Sequence, residues 1–279
     1  MEKLPEKEFN EIFSLISNVP WLQSKATSLV FLYNNCENEE QRKLVIDLLR
    51  RFRVVDSREI DRIGEMIADK LCKEWNLNAG NSYIISVSDE TKIDGGQGLL
   101  QQIKNKFAKY EWSNENFIST IGQGVHLVKD GEVAVLFDDF IGSGETIMRK
   151  YHWFKNKLTI LNKPNVIVKV LSIAAMEQTY FELITRNVVL YSSILILRGI
   201  SDFYQTDTNH YLQCMLDIEK GLEEKNKKMS LTSYSLGYKK SESLFWFEGN
   251  NISDNVFPIF WWPFKKDKSK INTIFQRMS

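Results

Sequence analysis

Along the first 77 residues, apolar side chains recur at helical spacing in four groups. Phe9, Ile12, Phe13 and Ile16 form the first, closed by Pro20. Leu22, Ala26, Leu29 and Val30 form the second; Leu44, Ile46, Leu48 and Leu49 the third; Ile60, Ile63, Ile67 and Leu71 the fourth. Each is one face of an amphipathic helix. Asp56 with Glu59 three residues later is a capping-box start for the fourth. From residue 82 the pattern changes. Residues 82–87, 133–137, 166–175 and 188–197 are strongly apolar runs of strand length, as in strands buried on both faces. Helical stripes separate them: Leu99, Leu100, Ile103 and Phe107; then Ile147, Tyr151, Phe154, Leu158 and Leu161; then a short helix over 178–185. Strand and helix alternating at these lengths predict an α/β fold with a mainly parallel sheet and right-handed crossovers.

Beyond residue 200 a polar connection over 202–226 leads into a helix with Tyr211, Met215 and Ile218. Residues 229–264 are then crowded with rings, among them Phe245, Trp246, Phe247, Phe257, Phe260, Trp261 and Trp262. They read as core and edge packing, with a hood stacking on a nucleobase as the functional alternative. The pattern divides the chain into a helical N-terminal layer (1–77), an α/β core (78–200) and a C-terminal helix with an aromatic β/hood segment packed on the core (201–279).

Composition narrows the classes. Lys plus Arg equals Asp plus Glu at 36 each, so no bulk basic field invites nucleic acid. Cys36, Cys72 and Cys214 are isolated, which argues against a disulfide framework or a CxxC metal site and for a reducing cytoplasm. The N-terminus carries no apolar signal segment, and no run approaches the ~20 residues that span a bilayer. The expectation is a cytoplasmic protein with no membrane partner.

The densest chemistry lies at residues 133–146, Val-Ala-Val-Leu-Phe-Asp-Asp-Phe-Ile-Gly-Ser-Gly-Glu-Thr: a buried strand, two acids, a Gly-Ser-Gly turn and a helix start. The first turn of a helix offers unpaired N–H groups and the positive end of the macrodipole to an anion. Gly142 and Gly144 let an anion approach the backbone, while Ser143 and Thr146 add hydroxyl donors. Asp138 and Asp139 can accept hydrogen bonds from a vicinal diol, each worth roughly 1.5–3 kcal/mol against a neutral replacement. A phosphate beside a diol describes a ribose 5-phosphate. A second glycine-rich loop follows the 82–87 run, with Lys92, Gly95, Gly96 and Gly98, and Lys104 one turn into the next helix. It is another anion cradle, although both lysines also read as solvated surface charges.

Rival readings are weaker. Two acids at a strand end suit a Walker B segment, but the chain holds no G-x-x-x-x-G-K-[ST]. A dinucleotide fingerprint fails because its third glycine position is Ile147. A plain acidic strand end must meet the desolvation cost of two adjacent carboxylates. His126, read on a strand near a turn, is structural in the first instance and a proton shuttle in the second.

The 133–146 segment resembles the phosphoribosyl-pyrophosphate (PRPP) motif of type I phosphoribosyltransferases: hydrophobic strand, two acids, two variable residues, a small or acidic residue, Thr or Ser, Gly, any residue, Thr. The resemblance implies Asp138 and Asp139 as catalytic residues on the ribose hydroxyls. Gly142, Ser143, Gly144, Glu145 and Thr146 would wrap the 5-phosphate, and Lys92, Gly95, Gly96 and Gly98 would grip pyrophosphate. Mg2+ is expected through PRPP, with Asp138 and Asp139 in reach of it, and residues 108–131 as the mobile connection that closes over the ligand. The position the family uses for an acid near the base is Gly142, so no general base is assigned, and Glu145 stands where a neutral or basic residue is usual. Over the whole chain, the helical N-terminal layer, Asp-Asp-Phe-x-Gly-Ser-Gly, Leu-Gly-Tyr at 236–238 and Pro258-Ile259-Phe260-Trp261 resemble the PRTase-CE domains of bacterial conflict and anti-phage systems, some beside retron reverse transcriptases.

The resemblance thus implies an anti-phage effector of phosphoribosyltransferase (glycosyltransferase) type. It would bind PRPP or a nucleotide-like molecule and pass the phosphoribosyl group to an unassigned acceptor. The alternative is a catalytically degenerate regulator with the same fold, sensing a nucleotide or docking to a partner; Gly142 and Glu145 favour it. A nuclease using Asp138 and Asp139 as metal ligands lacks a third ligand nearby in sequence. A retron reverse transcriptase or another defence-system protein is the implied partner, and an oligomer stays open. Nucleic acid is not indicated by net charge, although the basic 265–270 tail could touch a backbone.

Overall fold

The computed structural model describes residues 6–88, 95–226 and 229–278. Contacts divide the chain into two compact units, Val55–Ile196 and the combination of Met1–Val54 with Leu197–Ser279.

The Val55–Ile196 unit opens with α1 (Ser57–Asp69). The Asp56 side chain accepts the Glu59 N–H at 2.8 Å, which pairs one of the donors a helix start leaves unpaired. Then come β1 (Ser82–Ser86), α2 (Gly95–Ile103), β2 (Phe117–Ile118), α3 (Ile121–Leu127), β3 (Val133–Ile141), α4 (Glu145–Ile160), β4 (Ile167–Met176), α5 (Glu177–Thr185) and β5 (Leu190–Ile196). The strands form one parallel sheet in the order β2-β1-β3-β4-β5. β3 is the middle strand, and its first five residues are all buried, which is why they read as one apolar run. Ala134 and Leu136 pack with Val168 and Val170 of β4 and with Ile121, Val125, Ile147, Phe154 and Leu183 from α3, α4 and α5. α1 packs on α2, which meets β1 and β3.

Residues 108–131, expected as a mobile connection, instead contain the edge strand β2, the helix α3 and short helical turns. His126 lies on α3 and is exposed, not on a strand. Two glycines hid this helix. One of them, Gly124, is required: a β-carbon there would lie 2.6 Å from Ile85 Cγ2 of β1. Thr120 caps the start of α3 by accepting the Gln123 N–H at 3.3 Å. At its end Lys163 Nζ donates to the carbonyls of Val125, His126 and Val128 at 3.0, 2.8 and 2.6 Å, pairing acceptors that a helix terminus leaves open.

In the other unit, helices Glu6–Asn18, Ala26–Asn34, Glu39–Arg50 and Thr208–Glu219 share one core with the aromatic segment. Phe257, Phe260, Trp261, Trp262 and Phe275 are buried in it. The Phe52 ring lies 5.5 Å from Trp21 and 5.0 Å from Phe275, within the range for favourable ring pairs. These rings are core, as the packing reading has it. Two buried glutamates pin the backbone around them. Glu242 accepts from Ile200 N–H, Ser201 N–H and Ser201 Oγ at 2.9, 2.8 and 2.5 Å. Glu219 accepts from Leu236 N–H at 3.0 Å and Ser235 Oγ at 2.5 Å; burial pushes its carboxyl up to about 7. Among the described residues no helix is long and apolar enough to cross a membrane.

Candidate functional site

The strand order turns over between β1 and β3. From β1 the chain passes to β2 on one side, while β3, β4 and β5 run off on the other. Loops leaving the carboxyl ends of strands at such a switch point part company, and open α/β sheets bind ligands in the crevice between them. The two glycine-bearing turns singled out from sequence leave from these two strands. Register aligns the two strands themselves: Ser86 pairs with Phe137, and the Val87 N–H donates to the Phe137 carbonyl at 3.0 Å.

At the end of β3, Asp138 and Asp139 are half-buried. The Asp139 N–H donates to the Asp138 carboxylate at 3.1 Å, and the Phe140 N–H to the Asp139 carboxylate at 2.9 Å. Such local bonds hold a short acid against its own backbone. Asp138 is in register with Ser172 of β4, so both project to the same face of the sheet. The Ser172 hydroxyl is fully buried and has no hydrogen-bond partner.

Gly144 stands at the N-cap of α4 with φ +75° and ψ −8° and therefore offers no capping side chain. Only glycine adopts that left-handed conformation without cost, and a β-carbon there would lie 2.7 Å from Thr179 Cγ2. Thr179 Oγ1 also donates to the Gly142 carbonyl at 2.7 Å. Both glycines are buried, Ser143 is half-buried, and Glu145 and Thr146 are exposed. The turn itself thus accounts for Gly144. An anion at this helix start would meet Ser143, Thr146 and the first-turn amides, with the Glu145 carboxylate on the same turn.

Gly95, Gly96 and Gly98 all fall in the opening turn of α2. Gly96 is buried, Gly95 half-buried, and Gly98 exposed with open space around it. Lys92 lies outside the described residues. Lys104, expected one turn into this helix, follows its last residue; at 1.5 Å per residue that is ~13 Å from the helix start. His152 and His210 are exposed, and His210 pairs with Glu40. Among the described residues no three His, Cys, Asp or Glu side chains gather as a metal cage.

Sequence reasoning passed over Thr179 and Ser172. A polar residue inside the apolar 166–175 run was a visible signal for Ser172. Thr179 carries no local signal, because its role depends on α5 packing beside the 142–146 turn.

The architecture is α/β and phosphoribosyltransferase-like. The PRTase-CE family model matches residues 31–277, and the chain belongs to that family. No curated protein sequence matches it. Similar solved structures include orotate phosphoribosyltransferase from Aeropyrum pernix, at 14% identity over 55% of this chain and 75% of that one, with TM-score 0.29. A hypothetical protein from Neisseria gonorrhoeae with bound ppGpp aligns at 13% identity over 56% of this chain and 92% of that one, with TM-score 0.36. A mutant hypoxanthine phosphoribosyltransferase from Trypanosoma cruzi, complexed with the product IMP, aligns at 13% identity over 50% and 74%, with TM-score 0.33. Scores this low make them likenesses only.

Proposed function

We propose that the chain binds PRPP, or a related ribose 5-phosphate, at the carboxyl ends of β1 and β3 and transfers its phosphoribosyl group. One observation carries the reading: the acidic Gly-Ser-Gly turn and the second glycine-rich helix start leave from the two strands that flank the switch point. Ser143, Thr146 and the first-turn amides of α4 take the 5-phosphate. Asp138 and Asp139 accept the ribose hydroxyls. The start of α2, with Gly95, Gly96 and Gly98 and with Lys92 before it, takes pyrophosphate.

The residues present fit Mg2+. The ion is usually held by one or two carboxylates plus substrate phosphates rather than by a protein cage, and Asp138 and Asp139 are half-buried oxygen donors at the right strand end. Bound there, Mg2+ would neutralise charge on the departing pyrophosphate. Loss of pyrophosphate develops positive charge at C1 of the ribose, which two fixed carboxylates favour electrostatically. The acceptor is a base or nucleotide, a nucleic acid or a protein. Membership of PRTase-CE supports a role as a cytoplasmic anti-phage effector that works with a retron reverse transcriptase or another defence protein.

A PRPP–Mg2+ thermal-shift titration tests the site. A hundredfold excess over Kd stabilises by about 2.7 kcal/mol, and Asp139→Asn should abolish the gain. An undiminished shift in that variant overturns the assignment.

A non-catalytic nucleotide sensor is the second reading. The exposed Glu145 carboxylate in the first turn of α4 favours it, because it occupies the end of the macrodipole that an incoming phosphate would use. PRPP binding without pyrophosphate release, across bases, nucleotides, nucleic acid and protein partners, would select this reading.

A further inference from the structure

A second hollow lies within the unit formed by the N- and C-terminal segments and shares no residue with the 138–146 turn. Its volume is about 560 Å³, inside the range of roughly 300–1,000 Å³ usual for small-molecule sites. Phe264 and Ile271 give it an apolar wall, Asn226 and Gln276 bring side-chain amides, and Lys270 and Arg277 bring positive charge. No carboxylate lines it among the described residues.

The cations differ in kind. Arg277 is held in place by Asp254 at 3.0 Å and the Ile252 carbonyl at 2.6 Å, so its guanidinium is pre-positioned and partly neutralised. Lys270 is exposed and forms no ion pair among the described residues. It ends the basic run Lys265, Lys266, Lys268 and Lys270. The one acid in that run, Asp267, accepts the Ser269 N–H and hydroxyl at 2.8 and 2.5 Å.

Asn226 supplies an independent pointer. It is 8% exposed and lines the hollow, and no hydrogen bond joins its side-chain amide to another described residue. A ligand edge carrying both donor and acceptor atoms would satisfy it. A half-exposed ring, amides able to give and take hydrogen bonds, and uncompensated positive charge together select a flat heteroaromatic ring joined to an anion.

We propose that this hollow binds a nucleoside phosphate, its ring against Phe264 and Ile271, its edge at Asn226 and Gln276, and its phosphate toward Lys270 and Arg277. The nucleotide is either free or the 5′-phosphorylated end of a single strand; both present the same chemistry.

Calorimetric titration of the full chain with AMP, a 5′-phosphorylated oligothymidylate and inorganic phosphate tests this. Lys270→Glu should weaken binding at least tenfold, and Gln276→Ala severalfold; both residues are exposed, so folding is not at issue. Because AMP also carries a ribose 5-phosphate, each titration is repeated in the Asp139→Asn background, where only this hollow should still take up ligand; that separates it from the switch-point site. AMP binding supports a free ligand, and binding of the strand alone supports a strand end. The proposal is overturned if neither binds at millimolar concentration, if Lys270→Glu binds as wild type, or if inorganic phosphate binds as tightly as AMP.

Discussion

Thr179 holds Gly142 from the next helix: its Oγ1 donates to the Gly142 carbonyl at 2.7 Å, while its Cγ2 fills the place a β-carbon on Gly144 would take. The Gly-Ser-Gly turn is therefore shaped by a residue more than thirty positions away in sequence.

The first prediction concerns that contact. Gly144→Ala places a side chain at φ +75° and against Thr179, and should destabilise by roughly 2–3 kcal/mol, of which about 1–2 is the left-handed backbone. Thr179→Ser keeps the hydroxyl and removes Cγ2. The double variant should recover part of the Gly144→Ala loss, giving a coupling energy in a urea-denaturation cycle. Strictly additive losses would mean that Thr179 is not what excludes the side chain.

Ser172→Ala should act differently with and without ligand. The buried hydroxyl has no partner, so removing it should raise the stability of the free protein by about 1 kcal/mol. If the hydroxyl serves Asp138 once a sugar is bound, the same variant should bind PRPP–Mg2+ more weakly. Chelating Mg2+ should remove the PRPP-dependent shift from the wild type altogether. Thermal unfolding with and without PRPP, Mg2+ and EDTA reads all three.

Glu219 makes stability depend on pH. Its folded-state pKa is raised from 4.5 to about 7 by desolvation, so between these values the folded chain holds a proton that the unfolded chain has released. The contribution is complete below pH 4.5 and is lost as pH rises toward 7. The shift corresponds to roughly 3 kcal/mol. Glu219→Gln should flatten this part of the profile, seen as the difference between variant and wild-type denaturation midpoints from pH 4.5 to 8. A difference that does not change with pH would assign the carboxyl an ordinary pKa.

Lys163→Met should loosen α3. Three carbonyls lose their cationic donor, and charge-assisted bonds contribute roughly 1.5–3 kcal/mol each in favourable cases. Faster amide exchange confined to Ile121–Leu127 is the expected signature. Unchanged protection there would show that packing against Ile85, not capping, holds the helix.

The parts of the fold readable in advance were those with a local cause. β3 was legible because burial on both faces leaves no polar alternation, and α1 because Asp56 and Glu59 spell out its start. Asp138 and Asp139 stood out as acids that an apolar strand does not otherwise carry. α3 and β2 were missed for the converse reason: α3 is seven residues long with two glycines, and β2 has only two residues. The Thr179 contact and the pairing of the two strands that the glycine-bearing turns follow depend on strand order, which no window of sequence contains.

The division of the chain sets an order of assembly. The sheet unit, Val55–Ile196, is continuous, whereas its companion is built from segments that enclose it in sequence. During synthesis the sheet can close as soon as β5 emerges. Leu29, Leu44 and Leu48, however, share a core with Phe257, Phe260 and Phe275, and must wait some two hundred residues for those partners. For that interval the nascent helices carry bare greasy faces, the situation in which chaperones are recruited.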